Sequence, residues 1–107
     1  MSNMFHTLGA SLAQEIGKDE VLCRGVLRMA VANSVKSLQR ISDPVKTMNE
    51  TLTYITNMKY RDWKTLIEGP SLSQILTNIG VKDVTAVTDR LMETLVEQQS
   101  LFTMEAH

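Results

Sequence analysis

Apolar residues recur three and four positions apart along most of this chain, and short runs of Gly, Pro, Ser and Asp divide that pattern into five helical segments. In the first, Phe5, Leu8, Leu12 and Ile16 form one stripe, with Ser2 or Asn3 placed to cap it and Gly17 to stop it. Gly9 and Ala13 sit four apart beside the stripe, where small residues let a second helix come close. The second segment starts near Asp19 and ends at Ser42-Asp43-Pro44. Its Val21, Leu22, Cys23, Val26, Leu27, Met29, Ala30, Val31, Ala32, Val35, Leu38 and Ile41 cannot be gathered on one face, and a helix apolar all round is normally buried all round. That predicts a central second helix, enclosed by the bundle or shared with a second copy of the chain. Arg24 and Arg28 mark one side of its first half, and Lys36 and Arg40 another side of its second. Its neighbours therefore change midway, from Phe5–Ile16 to Val45–Leu66 or a second chain.

Ser42-Asp43-Pro44 is a boundary because proline disfavours helix in the residue before it and fits the first turn of the next. The third helix is expected from Pro44 to about Glu68, with Val45, Met48, Leu52 and Ile55 as a buried stripe that Leu66 and Ile67 resume after an interruption at Lys59 to Lys64. Gly69-Pro70 ends it. Ser71 is expected to cap a short fourth helix whose Leu72, Ile75, Leu76 and Ile79 face a core, and Gly80 to stop it with Val81 in the following apolar contact. Asp83 or Thr85 begins the last helix, with Val84, Val87, Leu91, Leu95 and Phe102 on one stripe. Thr51 to Thr56 is β-prone in composition but lies in a helix-periodic window, so helix is expected there too. The predicted fold is all-α: a small bundle of about five helices forming a single domain over residues 1–107.

Composition narrows the class without naming a function. With 107 residues, 43% of them hydrophobic and 21% charged, the chain can bury a core of its own. No apolar run approaches the ~20 residues of a membrane span, and residues 1–13 lack the basic start and continuous apolar core of a signal peptide, so a cytoplasmic protein is expected. Cys23 is the one cysteine, set in an apolar run, and reads as a buried reduced thiol. The net charge of −1 hides an asymmetry: residues 1–82 carry ten Lys/Arg against seven Asp/Glu, and residues 83–107 carry five Asp/Glu against Arg90.

No motif for catalysis, cofactor or metal is legible. His6 and His107 are the two histidines, and His6 falls away from the stripe of its helix, facing solvent. Asp89, Glu93 and Glu97 share one side of a helix without the histidine and facing carboxylates that bundle metal sites use, which reads as a solvated face. Around the interruption, Lys59, Tyr60, Arg61, Asp62, Trp63 and Lys64 interleave aromatics with cations, as single-stranded nucleic-acid sites do. The competing reading puts Trp63 in the core and the three cations on the rim; it is preferred because the whole chain lacks the basic excess of a nucleic-acid footprint. The helix pair around Gly80 has helix-turn-helix spacing, but no cation to read bases until Arg90.

The expectation is therefore a non-enzymatic bundle that acts by self-association, a dimer first, and then by contact with another protein. Val31, Val35 and Leu38 are the expected self-association residues. Two other readings remain: an anion or nucleic-acid contact through Lys59, Tyr60, Arg61 and Lys64, and a carrier whose internal cavity, lined by Met29, Met48 and Leu52, holds an apolar ligand.

Overall fold

The computed structural model describes residues 4–39 and 42–99; the side chains of Leu38 and Gln39 fall outside that description, as do the expected cap at Ser2 or Asn3, Ile41 and Phe102. The described residues are all-helical, in six helices: α1 (Met4–Ile16), α2 (Glu20–Gln39), α3 (Pro44–Asn57), α4 (Tyr60–Glu68), α5 (Pro70–Asn78) and α6 (Val84–Glu97). The extents are 41 × 33 × 21 Å.

Most boundaries fall where the sequence places them, and each has a visible cause. Gly17 takes φ 67° and ends α1, with the Lys18 N–H donating back to the Ala13 carbonyl at 3.3 Å. Asp19 opens α2 by accepting from the N–H groups of Val21 (2.7 Å) and Leu22 (3.3 Å). Asp43 does the same for α3, accepting from Val45 (2.8 Å) and Lys46 (3.2 Å) with Pro44 in the first turn. Gly80, at φ 94°, ends α5, and the Val81 N–H reaches the Leu76 carbonyl at 3.0 Å. Asp83 caps α6 through the Ala86 N–H at 3.1 Å.

The expected third helix is two helices. Met58 and Lys59 are extended, with ψ 132° and 171°, and the Asp62 carboxylate accepts the Lys59 N–H at 2.9 Å to open α4. Unbroken, residues 44–68 would form a rod of about 37 Å, nearly the full length of the molecule. The break frees its halves to bury different faces: α3 lies on α2, while α4 packs against α5 and α6. The fourth expected helix also starts two residues earlier, at Pro70 with Gly69 as its cap residue, rather than at Leu72 after a Ser71 cap.

The core runs through Leu8 and Leu12 of α1, Cys23, Leu27, Ala30, Val31 and Val35 of α2, Trp63 and Ile67 of α4, Leu72 and Leu76 of α5, and Leu91 and Leu95 of α6. Hydroxyl contacts join helices: Ser11 with Thr94 at 2.9 Å between α1 and α6, and the Asn33 amide donating to Ser71 at 3.1 Å between α2 and α5. Helix α2 packs on α1, α3 and α5, so it is central. It is not enclosed: Val21, Leu22 and Met29 are 66%, 48% and 54% exposed. The stripe expected to bury α3 is also largely outside the core, for Val45, Met48 and Leu52 are exposed and Ile55 and Thr51 carry the contact with α2. No helix of the described residues is long and apolar enough to cross a membrane.

Candidate functional site: an apolar groove over the second helix

Helices α3 and α5 each pack on α2, and an open groove of about 790 Å³ lies between them. Helix α2 supplies its length, from Leu22 through Val26, Met29 and Asn33 to Lys36. These positions recur at three and four residues, so they form a second face of α2, beside the core face of Cys23, Leu27, Ala30 and Val31. One wall comes from Pro44, Thr47, Met48 and Thr51 of α3, the other from Ile75 and Asn78 of α5 and from Ile79, which caps it. Val26, Thr51 and Ile75 are buried, while Leu22, Met29, Met48 and Ile79 expose apolar surface.

Sequence periodicity reports how many faces of a helix are apolar but not which of them the chain itself covers. For α2 the answer is one face in the core and one in the groove. Thr51 sits fully buried because its hydroxyl donates to the Thr47 carbonyl within α3 at 2.6 Å, which satisfies the one side-chain donor that burial would otherwise strand. Among the described residues, the charged groups lining the groove are Arg28 and Lys36, both exposed, and no carboxylate lines it. Asp43, beside the lining residues Ser42 and Pro44, has its carboxylate turned onto the start of α3.

Val31 and Val35, expected at a self-association surface, are each 1% exposed, inside the core of the single chain rather than on its outer surface. The side chain of Leu38 lies outside the described residues. Met29 and Met48, expected together around an apolar ligand, both line the open groove rather than an internal cavity, and Leu52 does not line it. Lys59, Arg61 and Lys64 are exposed along the start of α4. Their aromatic neighbours do not form a stacking platform, since Trp63 is fully buried and Tyr60 packs partly against the core. A second, smaller hollow of about 470 Å³ lies between α2, α3 and α4, lined by polar residues such as Ser34, Ser37, Asp62 and Thr65 along with Val31 and Leu66.

Cys23 is buried, and that burial, with smaller contributions from Asp19 and Glu20, pushes its thiol above the usual value of 9.0. A thiolate is the nucleophilic form of cysteine, so these surroundings favour an inert thiol. His6 is exposed, with its ring edge-on to Phe5 at 5.7 Å. Glu93 of the acidic face on α6 accepts from Arg90 at 2.9 Å, and the described residues hold no group of three or more His, Cys, Asp or Glu able to bind a metal ion. No protein-family model, curated protein or solved structure matches the chain.

Proposed function

We propose that this protein is a non-enzymatic association module and that the groove bounded by α2, α3 and α5 is its contact surface, for a second copy of the chain or for another protein. The observation that carries this reading is the convergence of Leu22, Met29, Met48 and Ile79, all exposed, on one groove. Scattered exposed apolar residues are ordinary, whereas a contiguous apolar patch is a mark of contact surfaces. Covering the remaining half of four such side chains is worth on the order of 3–6 kcal/mol before the costs of association. Two methionines suit the purpose, because their flexible thioethers repack against differently shaped partners.

Site-specific photo-crosslinking tests it. A benzophenone amino acid in place of Met29 or Met48 is expected to give protein adducts in cells that the same group at Arg61, exposed on α4 and outside the groove, does not give. Equal yields at Arg61, or none at Met29 and Met48, would remove the groove as the contact surface.

A further inference from the structure

We infer that the occupant of the groove is an amphipathic α-helix of a different protein, apolar along one stripe and acidic on its flanks. This inference rests on the association reading above and adds the shape and charge of the partner.

Shape comes first. The groove follows α2 from Leu22 to Lys36, about 21 Å at helical rise, which is the length of about four turns. Its floor is a helix and its two walls are helices, so a fourth helix laid in it would touch α2, α3 and α5 together and complete a four-helix arrangement. Helices enter such grooves with apolar anchors at i, i+3 or i+4, and i+7, a spacing to which Leu22, Met29, Met48 and Ile79 offer contacts. A small apolar molecule fits less well. Ligand pockets enclose most of their ligand, and this groove is open along a side where Met29 and Met48 are 54% and 62% exposed.

Charge then selects among helices. Among the described residues, Arg28 and Lys36 line the groove with no lining carboxylate and no ion-pair partner, so a helix seated there places its flanking residues next to two cations. Acidic flanks are attracted and basic ones repelled, which sets both specificity and encounter rate. A second copy meets this requirement poorly. Two-fold pairing of groove with groove would bring Arg28 and Lys36 of both copies into one seam that no carboxylate of the described residues lines. The chain's own acidic helix, α6, has its apolar stripe of Val87, Leu91 and Leu95 already buried, so it is not free to dock.

The test uses the full chain against a displayed library of helices of about fifteen residues, with a fixed leucine stripe and flanking positions drawn from Glu and Lys. Selected sequences are expected to be Glu-rich at the flanks. The best of them, as a free peptide, is expected to bind about tenfold or more weakly to Arg28→Glu/Lys36→Glu and to Met48→Glu, which is about 1.4 kcal/mol or more. Its Lys-flanked counterpart is expected to bind the doubly reversed variant better than the wild type. Circular dichroism of each variant separates lost binding from lost folding, and the groove positions are exposed enough for the fold to persist. Flanks without acidic enrichment, or binding indifferent to reversal of Arg28 and Lys36, overturn the acidic-helix inference while leaving association intact if Met48→Glu still weakens it. Binding indifferent to Met29→Glu and Met48→Glu overturns both. A doubled solution mass that Met48→Glu returns to the monomer identifies a second copy as the occupant, which overturns this inference and supports the broader one.

Discussion

Three residues show how much local surroundings decide. Cys23 is expected to react with iodoacetamide at neutral pH only as fast as the protein unfolds, because its thiol is enclosed and its pKa raised. Native-state alkylation as fast as that of a free thiol would contradict this. A raised acid pKa favours the protonated form in the folded state, so the Cys23 contribution is fully present below the ordinary thiol value of 9.0 and is lost as pH rises through the higher folded value. Urea melts above pH 9 should therefore lose stability faster for the wild type than for Cys23→Ala. At Gly9, an added Cβ would lie 2.6 Å from Cγ of Arg24, where α1 and α2 meet. Gly9→Leu is expected to destabilise by about 1–3 kcal/mol in denaturant titration. The sequence marked Gly9 as a place of close approach; that an arginine stem, not a backbone, fills the space depends on how α2 is rotated. Trp63 is fully buried with its indole N–H lacking a hydrogen-bond partner among the described residues. Leaving a buried donor unpaired costs about 1–3 kcal/mol, so Trp63→Phe, which removes that donor, should cost far less than the ~3–5 kcal/mol expected of Trp63→Ala.

At the scale of helices, the starts and stops are local chemistry and were legible. Asp19, Asp43 and Asp83 each accept backbone N–H groups at the head of a helix, and Gly17 and Gly80 each supply a positive φ at an end. Asp43→Ala and Asp83→Ala are each expected to cost about 1 kcal/mol, within the usual range for a lost cap. In a domain near this size that lowers the midpoint of a thermal melt by about 4–8 °C, and an unchanged midpoint would mean that the cap is not holding the helix. The division between α3 and α4 was less legible. Its signs were present, in the interrupted stripe at Lys59 to Lys64 and in Asp62 three residues after Lys59, but helical periodicity resumes at Leu66 and Ile67 as though one helix continued. Packing breaks it, because α3 and α4 bury their sides against different helices.

For the whole molecule, the decisive contrast is between two apolar faces of α2. Val31→Glu places a charge in the core and is expected to unfold the protein, whereas Met29→Glu and Met48→Glu are expected to keep helical content and cooperative melting within about 0.5 kcal/mol of the wild type, as surface substitutions usually do. Far-ultraviolet circular dichroism with thermal melts distinguishes the two, and a folded Val31→Glu would contradict the core described here. The all-helical class, the positions of most helix ends and the central place of the second helix follow from the residues alone, because capping, glycine geometry and three-and-four periodicity act over a few residues. It also contained Met29 and Met48 as a pair worth weighing. Which apolar stripe meets the core and which remains outside depends on how the helices pack. Val31 and Val35 went in, and Leu22, Met29, Met48 and Ile79 stayed on a groove. An apolar side chain gains from burial against any partner, so hydropathy is silent on whether that partner lies in the same chain; the rotation and placing of α3 and α5 against α2 settle it.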